Sequence, residues 1–370
     1  MRILITGYYG AGNFGDDIML EAFCKELLQK DPNVKITILK MFNKELKINL
    51  DKRIKVINYY KVTKASGHIF KMLVRFYDMF LWVGGTCFTD QDGDGFYGYM
   101  KLAIDKKVKI GYVGVGIGKL TIKERIEKTN YLINKCSFIS LRDEGSFNYV
   151  KDKFPNKENV YLTEDLAYLF VNPIIKNNSL IKEKNNERKI VVSWRHLINY
   201  KSAEEELILM NSLIKFIKKI MEEKIKSSIL ILPLDDRRDF ETNKYIYKKL
   251  KKYENEFFSV RYKENLTPKE KISEILNCNL NISARLHGIF VSEIANKKTI
   301  AISYSVKIDE FLKSVDKDMD MVSIEELDSD KIEKIYLSNN KKIEDDIIEK
   351  KITLSKSNID VLLTTLYKSH

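Results

Sequence analysis

The chain has 370 residues, 44% of them hydrophobic and 11% aromatic, enough to bury a large core and a length that suits two domains better than one. Its formal net charge of +12 comes from 64 basic and 52 acidic residues, with the lysines scattered among Asn and Ile along the whole chain. A scattered excess without a recognised binding module argues against a nucleic-acid partner.

The N-terminal residues MRILITG read as a first strand, not as a charged region followed by a long apolar run. The longest apolar stretches, 110–117 and 79–83, fall well short of the ~20 residues that cross a bilayer. A cytoplasmic protein is expected. Further strand-like runs stand at 34–39, 80–83, 109–115 and 138–141, alternating with helical spacing such as Ile18, Met19, Ala22, Phe23 and Leu27. That rhythm belongs to parallel sheets covered by helices. Residues 172–189 turn polar, with a proline near their start, and read as a linker. The rhythm restarts with strands at 190–193, 228–232, 258–261, 280–283 and 299–303, helices over 204–221 and 242–253, and another helix opening near Leu286. Beyond 321 the pattern is helical and highly charged. The expected α/β fold has two Rossmann-like lobes, 1–171 and 190–320, joined by the linker 172–189, with a charged helical C-terminal extension at 321–370. Cys24, Cys87, Cys136 and Cys278 have no paired spacing, so they read as buried thiols and not as a zinc site or disulfide framework.

Four segments could carry chemistry in the first lobe. The turn after the first strand, Gly7 to Asp17, contains Gly10, Gly12 and Gly15, but this bare G-x-G-x-x-G is a weak signal, and Asp16 and Asp17 would repel a pyrophosphate. Asn13, Gly15 and Asp16 suit sugar hydroxyls, or Asp16 caps the helix. Gly84 and Gly85, with Asp90 beyond them, end a buried strand, where open α/β sheets place their ligand crevice. The glycines from Gly111 to Gly118 serve either that crevice or close packing. Arg142 can bind an anion or tie two loops together by pairing with Asp143 or Asp165; the tie is the favoured reading.

In the second lobe Arg195 and Arg285 both leave strands at the same sheet edge, and Arg offers a planar fork of donors suited to carboxylate and phosphate. Leu286 opens the following helix, whose first N–H groups lack intrahelical partners, and His287 adds a titratable group there. Tyr304 and Lys307, past the next strand, could add an anion contact; Lys307 as a solvated surface lysine is the equal alternative. The stretch from Ile69 to Tyr77 mixes large apolar and basic residues and reads either as a buried helix or as a dock on an anionic bilayer.

Taken in order, GYYGAGNFGDD, VGGTCFTD, GVGIG, SLRDE, TEDLAY, SWR, SARLHG and SYSVK resemble the polysaccharide pyruvyl transferase family over about residues 1–315, with RLHG the most specific element. The sequence departs from the family pattern at Thr86 (commonly glycine), Ser305 (commonly aspartate) and Asp17 (usually glutamate). The resemblance implies a fold like the two-lobed GT-B glycosyltransferases, with the donor in the second lobe and the acceptor held mainly by the first. It implies transfer of a pyruvyl group from phosphoenolpyruvate to two hydroxyls of a sugar, oligosaccharide or lipid-linked glycan, forming a ketal and releasing phosphate. On that reading Arg195, Arg285, Leu286, His287 and Lys307 hold the donor, with His287 and Arg285 catalytic. Gly10, Asn13, Gly15, Asp16, Gly84, Gly85 and Asp90 face the acceptor, and Asp16 or Asp90 could deprotonate it. No cofactor or metal is called for. The rival readings are a nucleotide-sugar glycosyltransferase of the same architecture and a non-catalytic glycan-binding protein.

Overall fold

The computed structural model describes residues 1–60, 67–91, 93–177, 180 and 187–367. The chain divides into two compact units. The first comprises Met1–Ala11, Gly15–Phe170 and Glu349 onward; the second comprises Gly12–Phe14 and Val171–Ile348.

In the first unit the elements in chain order are β1 (Arg2–Gly7), α1 (Phe14–Lys30), β2 (Lys35–Lys40), β3 (Lys55–Asn58), α2 (His68–Val74), β4 (Met79–Val83), β5 (Thr86–Phe88), α3 (Tyr97–Asp105) and β6 (Lys109–Ile117). They continue with α4 (Lys123–Lys135), β7 (Phe138–Leu141), α5 (Glu144–Lys153), β8 (Val160–Leu162) and α6 (Ala167–Lys176). The strands form a parallel sheet in the order β3-β2-β1-β4-β6-β7-β8, with β5 alongside β6. Burial on both faces explains why β4 reads as an unbroken apolar run, MFLWV, with every residue buried. The β6 glycines belong largely to packing: a Cβ at Gly111 would lie 2.6 Å from the Phe138 ring, and Gly114, at φ +60°, sits where the β6–β7 register slips.

In the second unit the order is β9 (Arg188–Ser193), α7 (Ala203–Glu222), β10 (Ser227–Ile231), α8 (Phe240–Lys251), β11 (Phe258–Tyr262), α9 (Pro268–Leu276) and β12 (Leu280–Ser283). Then follow α10 (Leu286–Ile294), β13 (Lys298–Ser303), α11 (Val306–Ser314), a 3₁₀ turn (Asp318–Asp320), β14 (Met321–Ser323), α12 (Ser329–Leu337) and α13 (Asp345–Tyr367), which from Glu349 onward belongs to the first unit. This sheet is also parallel, in the order β11-β10-β9-β12-β13-β14. Helix starts are written locally: Ser202 and Glu205 make a reciprocal capping box at α7, as do Thr267 and Glu270 at α9, where Pro268 takes the first helical position.

Two expected boundaries change. Helix α6 runs through Lys176 with Pro173 inside it, so the polar linker is shorter at its start; residues 178–179 and 181–186 lie outside the described residues. The segment after 321 is not wholly helical, because β14 pairs with β13 and extends the second sheet. The helical C-terminal extension is present as α13, with residues up to Ile348 grouped in the second unit and those from Glu349 onward in the first. There the fully buried Asn358 accepts from Ser140 Oγ at 2.7 Å and Thr163 Oγ1 at 2.9 Å and donates to the Glu164 carbonyl at 2.9 Å. Lys351 pairs with Glu164 at 2.7 Å.

Candidate functional site

Both sheets reverse strand order beside their first strand, and such a switch point leaves a crevice outside the carboxyl ends of the strands. In the second unit the reversal falls between β9 and β12, which end together with Ser283 opposite Ser193. The segments carrying Arg195 and Arg285 leave the sheet there.

The β9 segment is held by two helices. Trp194 is fully buried; its indole N–H donates to Glu206 Oε1 at 2.9 Å, and its backbone exchanges hydrogen bonds with the Asn243 side chain at 3.0 and 2.7 Å. Glu206, also buried, takes the Leu197 N–H at 3.0 Å and sits 2.8 Å from His196 Nδ1. The His196 N–H donates to Asp239 at 3.1 Å. Asp239 and Asn243 on α8 and Glu206 on α7 therefore set the path of the loop. None of the three was singled out in the sequence, where Asp239 stands in a polar run, LDDRRD, that looks like an ordinary turn.

The two arginines differ in what they hold. Arg285 is gripped by Asp239 in a two-point fork, Nε to Oδ2 at 2.7 Å and Nη2 to Oδ1 at 2.5 Å, with Asp235 Oδ2 3.2 Å from Nη2. Burial raises the Asp239 carboxyl above its usual range, and the Arg285 fork counters that only in part. Burial likewise works against Asp235, but Arg285 and the N–H groups of Arg237 and Arg238 hold its carboxyl below the usual range. One cation among two carboxylates is not a spare charge for a ligand. Arg285, expected as an anion clamp, forms in this geometry a buried tie between the β12–α10 turn and the residues that open α8.

Arg195 makes a different contact. Its Nη1 donates to the Tyr304 hydroxyl at 2.7 Å, and its guanidinium carbon stands 4.2 Å from the Tyr304 ring centre and 5.6 Å from that of Tyr200. The half-buried Lys307 Nζ lies 5.3 Å from the Tyr304 ring centre. Burial works against ionisation of Tyr304, yet Arg195, Lys307 and Arg285 outweigh it and bring the phenol down to about 8. Arg195 and Lys307 therefore bring two cations to Tyr304. Leu286 and His287 open α10, which has no side-chain cap, and the His287 ring stands 6.1 Å from Phe290. Ser193 Oγ, buried at the end of β9, has no hydrogen-bond partner among the described residues.

In the first unit the reversal lies between β1 and β4. Gly84 and Gly85 follow β4 at φ +74° and +73°, and a Cβ on Gly85 would meet Asp16 Oδ1 at 3.2 Å, so Gly85 and Asp16 do share this edge. Asp16 and Asp17 are buried in the first turn of α1, where carboxylates favour the helix N-terminus; Asp16 lies inside the helix and does not precede it as a cap. Gly15 is the second residue of α1. Gly10, at φ +79°, is required by its turn, because a Cβ there would lie 2.4 Å from the Phe42 carbonyl. Asn13, expected with the first lobe, groups with the second unit, where Phe14 N–H donates to the Leu234 carbonyl at 2.8 Å. Asp90 is engaged by Thr121 N–H at 2.9 Å, Thr121 Oγ1 at 2.8 Å and Ile122 N–H at 3.0 Å, which makes it a staple for the start of α4. Arg142 is the tie that was favoured: Nη1 meets Asp165 at 2.5 Å, and Nη2 donates to Thr86 Oγ1 at 2.9 Å, which gives the Thr86 departure a structural use.

A family model described as polysaccharide pyruvyl transferase matches residues 13–306. The chain belongs to the polysaccharide pyruvyl transferase family. It is thus a member of a family of transferases, and the ordered segments quoted above fall within or next to the matched span. No curated protein sequence matches it. Among solved structures it is similar to a UDP-GlcNAc 2-epimerase from Methanocaldococcus jannaschii, with a TM-score of 0.64 at 13% identity over 98% of this chain and 100% of that one. It is similar to the Neisseria meningitidis UDP-GlcNAc 2-epimerase bound to UDP-GlcNAc, with a TM-score of 0.63 at 12% identity over the whole of both chains. An α,α-trehalose 6-phosphate synthase from Burkholderia multivorans gives 0.57 at 8% identity over 100% of this chain and 98% of that one. These likenesses show a fold of the GT-B type. No described helix is long and apolar enough to cross a membrane.

Proposed function

We propose that this pyruvyl transferase family member moves the pyruvyl group of phosphoenolpyruvate onto two hydroxyls of a sugar in a cell-surface or secreted polysaccharide, forming a ketal and releasing phosphate. The observation that carries the reading is the Arg195–Tyr304–Lys307 cluster at the switch point of the second sheet. Phosphoenolpyruvate bears a carboxylate and a phosphate on adjacent atoms, so its site needs cations beside strong donors. Arg195 offers a planar fork and Lys307 a point charge. The start of α10 adds N–H donors, and His287 in its first turn is the candidate for assisting phosphate departure. Arg285 acts through position, fixing the turn that presents Leu286 and His287. On the acceptor side Asp16, beside Gly85, is the better candidate for a sugar hydroxyl, since Asp90 already serves backbone N–H groups.

The protein incubated with phosphoenolpyruvate and cell-envelope glycans should release inorganic phosphate and place a methyl ketal signal on the glycan. Release of a nucleotide from UDP-sugars, with phosphoenolpyruvate untouched, would replace this reading with that of a nucleotide-sugar enzyme. The reading extends to an anionic membrane bearing a lipid-linked acceptor: α2 buries Phe70 and Val74 but leaves Ile69, Met72 and the following Phe76 exposed among Lys71 and Arg75.

A further inference from the structure

We propose that Tyr304 is a proton-transfer residue of the donor site, its hydroxyl protonating the methylene carbon of the enol donor and then recovering a proton from the attacking sugar hydroxyl. The inference rests on the pyruvyl-transfer reading above and supplies it with an acid for its first step.

Tyr304 directly follows β13 and is 6% exposed. Three cations from three segments act on it. Arg195 reaches it from the segment after β9, donating to its oxygen at 2.7 Å. Lys307 reaches it from α11, and Arg285 acts on it from the turn after β12. The nearby carboxylates are committed elsewhere: Asp235 and Asp239 to Arg285, and Asp309 of α11 to Ser303 Oγ at 2.5 Å. Tyr200 packs edge-on with ring centres 5.0 Å apart and fixes the ring. A phenol whose anion is held by Arg195 and Lys307 gives up its proton near the working pH and can take one back, which is what a step with both acid and base character needs.

The step balances. The C2–C3 π pair of the enol forms a new C–H bond with the Tyr304 proton while the first sugar hydroxyl forms a C–O bond at C2; the tyrosinate takes that hydroxyl's proton. The C2–O bond to phosphate then breaks with its electron pair on phosphate. The second hydroxyl closes the ketal at C2, and its proton passes to phosphate through His287. Two hydroxyl protons are lost, and they end on the methyl group and on phosphate.

Tyr304→Phe keeps the ring packing and removes only the hydroxyl. It should lower kcat by about a hundredfold or more while leaving the KM for phosphoenolpyruvate within about threefold. Wild-type kcat/KM should fall above about pH 8, where the acid form is lost, and that limb should be missing from the residual activity of Tyr304→Phe. The difference in ultraviolet pH titration between the two proteins, read without substrate, should show one phenol ionising near pH 8. Site-specific 3-fluorotyrosine at 304, a more acidic phenol, should move the limb to lower pH, a response that a purely structural side chain would not give. Full activity of Tyr304→Phe with its alkaline limb intact overturns the proposal alone. Wild-type protein that makes no ketal overturns the donor assignment itself, whatever the titration reads.

Discussion

Replacing Asp239 by asparagine preserves the shape of a fully buried side chain but removes the charge that Arg285 grips at two points. Breaking a buried ion pair by removing one partner costs about 3–5 kcal/mol. Asp235 stays 3.2 Å from the same guanidinium and keeps part of its charge compensated, which places the expected loss at the lower end, about 3 kcal/mol. A domain the size of the second unit loses about 2–4 °C of melting temperature per kcal/mol, so a fall of about 6–12 °C is expected. Scanning calorimetry on the wild type and Asp239→Asn at neutral pH measures it. The variant also tests the assignment of Arg285: a tie that loses its anchor lets the turn before α10 move, and turnover drops along with stability. A change in melting temperature below about 1 °C would refute the reasoning, since it would mean that Asp235 alone is enough to hold Arg285.

Three other outcomes are expected. Asn358→Ala removes the side-chain hydrogen bonds that Asn358 makes with the buried hydroxyls of Ser140 and Thr163 and with the Glu164 carbonyl; urea unfolding should show a loss of about 2 kcal/mol or more, and a loss under about 0.5 kcal/mol contradicts the packing described. Glu293 lies fully buried 2.9 Å from Lys317, which also holds Asp320, and burial pushes its carboxyl up to about 7 against the pull of Lys317. The folded chain therefore binds this proton more tightly than the unfolded chain. Its stabilising contribution is full below the ordinary carboxyl range near 4.5 and is lost as pH rises to about 7. Glu293→Gln should flatten that part of the stability profile, and an unchanged slope between those limits counts against the shift. Finally, vesicles containing phosphatidylserine should sediment the wild type at low salt and not Met72→Glu/Phe76→Glu; equal sedimentation of the two places any membrane contact elsewhere.

The second sheet was nearly complete in the amino-acid pattern because its inner strands are buried on both faces. The run 280–283 matches β12 residue for residue, and the five strands read there all exist. β5 and β8 escaped because three residues carry no period to detect, and β3 because none of its four residues is buried, unlike the fully buried four-residue β7 and β12. β14 escaped because an edge strand of MVS runs straight into charged helices. At the site, the pairing of an arginine and a histidine at a strand-to-helix turn was legible, while the charge state around Arg285 was not. Asp235 and Asp239 lie about 50 residues upstream of it, and only the placement of α8 beside β9 brings them to its guanidinium. A signal was available in retrospect: two acidic residues four apart, Asp235 and Asp239, after the strand β10, at the sheet edge where Arg285 also emerges. Tyr304 was noted only as a contact, since its importance comes from cations contributed by three separate segments.

The central claim is that an enol phosphate binds at Arg195. A crystal structure of the protein soaked with phosphoenolpyruvate tests it most directly. Density is expected for the ligand with one of its anionic groups on Arg195, the enol methylene toward the Tyr304 hydroxyl, and Arg285 still paired with Asp239. Phosphoenolpyruvate seated on Arg285 with Asp239 displaced, or a UDP-sugar occupying the Arg195 site while phosphoenolpyruvate leaves no density there, would contradict it.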